Sequence, residues 1–238
     1  MRLTVNFALR TMVDGLGRML FLPRCLLCGE PGDTGRDLCG ACAATLPWNR
    51  SACARCALPL AVAAEACGQC LRRPPPLAAT RAAFAYGFPL DRLLPRLKFH
   101  DGLAAGRLLS GLMAEAFAGA DRPDVIVPVP LHRARMRQRG YDQALELAKP
   151  LARELQLPLS DGLLHRRKAT APQSRLDAGA RRRNLRAAFE AHPSRDMPAH
   201  VVLFDDVMTT GATLHAAALV LRRAGVQRVD AWICARAP

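Results

Sequence analysis

Lysine is nearly missing from this chain: of 34 basic residues only Lys98, Lys149 and Lys168 are lysines, so arginine carries almost all of the positive charge. That choice, like the abundant alanine, can follow from genome base composition, but base composition does not explain the shortage of acid. With 20 acidic residues the net charge is +14 and the pI near 10.4, a footprint suited to polyanions or polyphosphates. Long uncharged runs are missing too. The opening stretch MRLTVNFALRTMVDGLGRMLFLP is broken by Arg10, Asp14 and Arg18, so no membrane insertion is expected. It reads as an amphipathic helix over residues 1–22, with Met12, Val13, Leu16, Met19 and Leu20 on one face. No export signal is legible there, which makes the cytoplasm the expected location. Low-complexity sequence is confined to RRPPPL at 72–77, the expected boundary between a small N-terminal part over 23–72 and a medium α/β domain over 78–238.

Cysteine, by contrast, is plentiful and regular. Four Cys-x2-Cys pairs, Cys25/Cys28, Cys39/Cys42, Cys53/Cys56 and Cys67/Cys70, account for eight of the nine cysteines, with ten residues between one pair and the next. Each pair offers two thiolates to one ion, so the four pairs make two closed, structural zinc sites, and a reducing compartment argues against disulfides. Overlaying CLLCGEP at 25 on CARCALP at 53 matches the cysteines and Pro31 with Pro59 at a shift of 28 residues, and CGAC at 39 then matches CGQC at 67. This is an internal duplication. Sequential pairing would give one ion Cys25, Cys28, Cys39 and Cys42 and the other Cys53, Cys56, Cys67 and Cys70; interleaved or nested pairing stays open, because equal spacing permits a cross-brace. Cys234, alone on an apolar stretch, reads as a small core residue.

Residues 201–213, VVLFDDVMTTGAT, carry the sharpest functional signal. Val201–Phe204 have the composition of a buried strand, and residues 213–224 have helical apolar spacing. Between them Thr209, Thr210, Gly211, Ala212 and Thr213 are small or hydroxylated, so a phosphate can approach their backbone N–H groups at the positive end of the helix. Asp205 and Asp206, at the strand's carboxyl end, can accept two adjacent sugar hydroxyls. Phosphate and paired hydroxyls together describe a 5-phosphoribosyl group. The helix is expected to stop at Gly225, with residues 228–234 as the next strand. The 13-residue pattern resembles the signature of type I phosphoribosyltransferases, which implies an α/β fold with a parallel sheet flanked by helices and a site for 5-phosphoribosyl 1-pyrophosphate (PRPP).

The middle of the chain adds a second candidate edge to that site. DVIVPVP at 124–130 reads as another buried strand that ends on two prolines and runs into HRARMRQRG at 132–140. Pro128, Val129, Arg133 and Arg139 are therefore expected to hold pyrophosphate, with residues 140–157 forming the next helix and RGYDQ at its start. A further basic group, HRRK at 165–168 with RRRNLR at 181–186, lies around a polar, glycine-containing stretch over 168–189 that reads as a flap. Arg135, Arg137, Lys168, Arg181, Arg182 and Arg183 are the candidate contacts to single-stranded DNA, with Phe84, Tyr86, Phe88 and Phe99 as candidate stacking platforms; alternation at 84, 86 and 88 equally describes a strand with a buried face.

Taken together, the cysteine pairs, LPW at 46–48, LKFHDG at 97–102, VPVPLH at 127–132, RGYDQ at 139–143, Thr170, Gln173, Arg181, Asn184, AAF at 187–189 and DDVMTTGAT resemble the ComF family. The family often shows RGFNQ where this chain has RGYDQ, so Asp142 places a charge where a neutral amide is usual. The resemblance implies a zinc ribbon joined to a type I phosphoribosyltransferase-like domain, a role in natural transformation through the handling of incoming single-stranded DNA, and partnership with DNA-uptake or recombination proteins. Two functions follow. A binding module would hold PRPP or a DNA terminus, whereas an enzyme would bind PRPP with Mg2+ and let a base or amine displace pyrophosphate. No amidotransferase nucleophile is visible, since Met1 is followed by Arg2.

Overall fold

The computed structural model describes residues 23–33, 35–97, 102–132, 136–137, 140–167, 188–192 and 197–238. The expected N-terminal helix over 1–22 and nearly all of the expected flap lie outside them. The chain divides into two compact units, Met1–Leu46 and Pro47–Pro238.

The duplication read from the cysteines is present in the backbone. In the first repeat the Cys25 N–H donates to Glu30 and the Gly29 N–H to Cys25; in the second, Cys53 donates to Leu58 and Ala57 to Cys53. The bridge between Arg24 and Pro31 has its counterpart between Ala52 and Pro59. Helix α1 (Gly40–Ala44) starts after Cys39, and α2 (Gly68–Arg72) after Cys67. All of these pairs differ by 28 residues. The turn after the first knuckle requires a left-handed residue, and Gly29 supplies it at φ 82°; its counterpart Ala57 adopts φ 53°, a conformation that costs a β-carbon residue about 1–2 kcal/mol.

The second repeat belongs to the same unit as the sheet. Cys53, Cys56, Ala57, Cys67 and Cys70 share one core with Leu77 and with the sheet residues Val127, Leu203, Ala231 and Ile233. The boundary expected near 72–77 therefore falls inside a single compact unit.

That sheet is parallel throughout, in the order β1 (Thr80–Ala85), β6 (Arg228–Arg236), β5 (His200–Met208), β2 (Val125–Pro128). Its strands are near-continuous apolar runs because both faces are covered. One face carries Val125, Val127, Val201, Leu203, Val229, Ala231 and Ile233, packed with α6 (Ala212–Arg223) and the second repeat. The alternate residues point the other way, and Trp232 stacks there on Phe117 of α4 (Gly102–Phe117) at 5.0 Å. Helix α4 packs on α5 (Gln143–Glu154), and α5 covers β2 and β5. The short α3 (Leu90–Arg96) packs against α4. Separate from this sheet, β3 (Leu164–Arg166) and β4 (Phe189–Ala191) form an antiparallel pair, and α6 packs on β4.

Three expectations are corrected by this architecture. Strand β5 does not stop at Phe204 but continues to Met208, so the acidic pair lies within the strand and the loop shrinks to Thr209–Gly211. Helix α5 spans Gln143–Glu154, shorter at both ends than the expected 140–157, because Asp142 caps its start. Phe84 is fully buried and packs on Trp48 at 4.7 Å between ring centroids, so it is a core residue and not a stacking platform.

Candidate functional site

Parallel pairing opens the carboxyl ends of β2 and β5 at the same edge, with Pro128 opposite Phe204. Two β5 residues further on stand Asp205 and Asp206, both partly exposed. Asp205 accepts from the Asp206 N–H at 2.9 Å and Asp206 from the Val207 N–H at 2.7 Å. Burial and then the Asp206 charge push the Asp205 carboxyl well above the usual carboxylate range, with Asp142 adding in the same direction. Such a carboxyl favours a cation or a set of hydroxyl donors beside it.

Thr209 and Thr210 are exposed, and the Thr210 hydroxyl accepts from the Ala212 N–H at 3.4 Å. Gly211 is left-handed, at φ 73°, and a side chain there would collide with Met208 and come within 3.0 Å of His215 Nε2. Glycine closes this turn without strain and leads the chain into α6, whose first-turn N–H groups, Thr213 among them, then face the loop. His215, which the sequence reading passed over, sits beneath Gly211 with a buried Nε2 that has no hydrogen-bond partner among the described residues. Burial, then the nearby Arg236 charge, holds its pKa down, so the ring stays neutral.

The segment expected to hold pyrophosphate is placed one strand over. Val129 is buried and its N–H already donates to Phe204 at 2.8 Å, so Pro130, Leu131 and His132 are the part of that segment left at the surface. Leu131 N–H donates to Asp142 Oδ2 at 2.8 Å, and the other carboxylate oxygen of Asp142 caps α5 by accepting from Leu145 N–H at 3.2 Å. Asp142 is thus both a helix cap and a clasp on the β2–α5 loop. A cavity of about 560 Å³ opens beside it, bounded by Pro128, Leu131, Asp142 and the β3–β4 pair. At the end of that pair His165 meets His192 edge to face at 4.4 Å, and Arg167, just past β3, pairs with Glu190. Arg137 is exposed; Arg133, Arg135, Arg139, Lys168, Arg181, Arg182, Arg183 and Phe99 lie outside the described residues. Tyr86 and Phe88 are exposed, and Arg92 lies over the Phe88 ring at 5.2 Å.

The cysteines gather in sequential fours. In each set, Cys25, Cys28, Cys39 and Cys42 or Cys53, Cys56, Cys67 and Cys70, the sulfur atoms all lie within 4.8 Å of one another, the donor set of a closed tetrahedral zinc site. The two sets fit two structural zinc ions. Burial opposes ionisation of Cys25, but backbone N–H groups at Cys39, Cys28 and Leu27 outweigh it and bring the thiol down to about 6; burial and the surrounding thiols push Cys42 up to about 12. Without metal the four sulfurs share protons, and zinc binding displaces them. The second set is wholly buried, whereas Cys28 of the first is exposed. Cys234 is buried in the sheet, where burial and then Asp206 raise its pKa, as suits a core thiol. No helix among the described residues is long and apolar enough to cross a membrane.

Residues 16–71 match the family model described as a double zinc ribbon domain. The chain is 39% identical to "Competence protein F" of Haemophilus influenzae over 157 residues, which cover 63% of this chain and 69% of that protein. It is 35% identical to "DNA utilization protein YhgH" of Escherichia coli K12 over 229 residues, or 92% and 99% of the two chains. "Competence protein ComFC" of Bacillus subtilis is 29% identical over 63% of this chain and 60% of its own. Among solved structures, adenine phosphoribosyltransferase from Leishmania tarentolae covers 59% of this chain and 72% of its own at 18% identity and a TM-score of 0.32, too loose a superposition to bear on the site. A double zinc ribbon and a helix-flanked parallel sheet are both present, and the extent of likeness to Competence protein F and YhgH decides the assignment: the chain belongs to the ComF family.

Proposed function

We propose that the Pro47–Pro238 unit binds PRPP with Mg2+ at the carboxyl ends of β2 and β5, and that the protein uses this site in handling single-stranded DNA during competence or DNA utilisation in the cytoplasm. The observation that carries the ligand is the Pro128–Phe204 register, which sets the segment after β2 beside Asp205, Asp206 and the Thr209–Thr213 turn. The 5-phosphate lies on the N–H groups of Thr210 to Thr213, the ribose hydroxyls at Asp205 and Asp206, and the pyrophosphate at Pro128–His132 with Arg133 and Arg139. Mg2+ offsets the repulsion between pyrophosphate and the acidic pair. The DNA part is supported by the names of the relatives and by the net charge of +14.

A second reading, an active transferase, is favoured by the cavity of about 560 Å³ beside Leu131 and Asp142, which leaves room for a base- or amine-bearing acceptor. The decisive experiment incubates zinc-loaded protein with PRPP, Mg2+ and a panel of bases and amines while following pyrophosphate release, and in parallel measures single-stranded DNA binding against salt. DNA binding without turnover supports the binding module, and turnover with one acceptor supports the enzyme. Brisk turnover with no DNA binding at low salt overturns the DNA-handling role.

A further inference from the structure

The phosphoribosyl reading leaves unused a second cavity, of about 590 Å³, along the outer edge of β1. It lies wholly within the Pro47–Pro238 unit and shares no lining residue with the cavity beside Asp142. Its walls are small, with several alanines from the second ribbon repeat and from β1, and its distinctive side chains are Trp48, Asn49, Arg50, Arg81 and Glu115.

Asn49 Nδ2 donates to the Ala57 carbonyl at 2.9 Å, which fixes the direction of the amide. Its Oδ1 is buried, so Asn49 ties the Trp48–Arg50 segment to the second repeat and does not face a ligand. Trp48 is partly exposed and held from behind by Phe84, so its indole offers an apolar π surface that cannot swing away. Arg50 and Arg81 are exposed, against a single acid, Glu115, in the lining. A flat ring attached to negative charge meets the requirements of Trp48 and of the two arginines.

We infer that this cavity takes a base of single-stranded DNA, stacked on Trp48, while Arg50 and Arg81 hold the flanking phosphates. The inference rests on the DNA-handling reading and adds to it a site distinct from the one at the carboxyl end of the sheet.

The test uses the full, zinc-loaded chain and a fluorescein-labelled single-stranded oligodeoxynucleotide. The two tryptophans separate cleanly, because Trp232 is 3% exposed and stacked on Phe117, so a ligand in the cavity quenches Trp48 alone. Expected are quenching with the same midpoint as the anisotropy change, its loss in Trp48→Phe with affinity kept within about twofold, and affinity lowered about fivefold or more in Trp48→Ala. An oligonucleotide of abasic sites should bind without quenching. Arg50→Gln with Arg81→Gln removes two exposed charges and should lower the salt slope by about 1.4, two phosphates' worth. Arg72→Gln with Arg73→Gln removes equal charge outside the lining and should do less. Binding that leaves Trp48 fluorescence and the affinity of Trp48→Ala unchanged overturns the cavity but leaves DNA handling standing. Equal quenching by the abasic strand, or equal loss in the two arginine pairs, also overturns it. No binding at low salt overturns both.

Discussion

The Nε of Arg236 donates to the carbonyl of Cys56 at 3.0 Å, joining the last strand of the sheet to a zinc-knuckle residue 180 positions earlier. Its Nη1 donates to the Met208 carbonyl at 3.3 Å, immediately before the Thr209–Gly211 turn. Arg236 is 5% exposed, and all the hydrogen-bond acceptors of its guanidinium among the described residues are carbonyls. A buried cation with no carboxylate beside it is costly, and a zinc ion held by four thiolates carries net negative charge close by. The second cysteine set and the Thr209–Gly211 turn are thus fastened to one side chain.

Arg236→Met should therefore act at both ends. The buried Cys56 carbonyl loses its donor at a cost of about 1–3 kcal/mol, while Met208 keeps only the Ala237 N–H, so the melting temperature should fall, a chelator should strip one zinc ion more readily, and PRPP affinity should drop. Arg236→Lys should not restore these properties, because one ammonium cannot span both carbonyls. Thermal melts and a chelator titration decide it; unchanged zinc retention would refute the coupling.

The two zinc sites should respond differently to loss of a ligand. Wild-type protein is expected to hold two zinc ions, and Cys25→Ser should lose one while the sheet stays folded. Cys53 is fully buried in the core that also contains Leu203 and Ile233, so Cys53→Ser should lower the stability of the whole unit by several kcal/mol. Metal analysis and melts of the two variants provide the check, and equal melts would contradict the shared core.

Asp205 should trade stability for binding. Folding raises its pKa, so its protonated form is favoured in the fold, and this contribution is present below the unfolded carboxylate pKa and lost as pH rises through the folded value. Asp205→Asn should consequently raise the melting temperature of the unliganded protein at neutral pH, with the gain vanishing in acid. Asp205→Asn with Asp206→Asn should weaken PRPP–Mg2+ binding at least tenfold, as loss of charge-assisted bonds of about 1.5–3 kcal/mol each requires. Unchanged affinity by calorimetry would place PRPP elsewhere.

Asp142 accepts from two N–H groups, and an amide offers only one oxygen. Asp142→Asn should keep one of the bonds to Leu131 and Leu145 and cost about 1–3 kcal/mol, and Asp142→Ala should cost more by losing the cap as well. Denaturant melts of the two variants test this order; the reverse order would mean that the charge at this position is a burden in the folded state.

By itself the sequence determined what is local. A Cys-x2-Cys knuckle, the left-handed residue after it and the first turn of the following helix are set within about twenty residues, so the 28-residue duplication survives intact in the backbone. The Thr209–Gly211 turn is local in the same sense, since an apolar run, a glycine and a helical stripe are neighbours in the chain. Only the tertiary structure decided where strands end and what they join. Aspartate is a poor strand former, yet Asp205 and Asp206 lie within β5 because β6 pairs alongside, Asp205 opposite Ile233 and Val207 opposite Ala235. The neighbours of β5, the membership of the second ribbon in the sheet's core, the clasp of Asp142 and the reach of Arg236 all depend on residues far apart in sequence. Spacing carries no trace of them, because burial and hydrogen bonding across a sheet are settled by which surfaces meet.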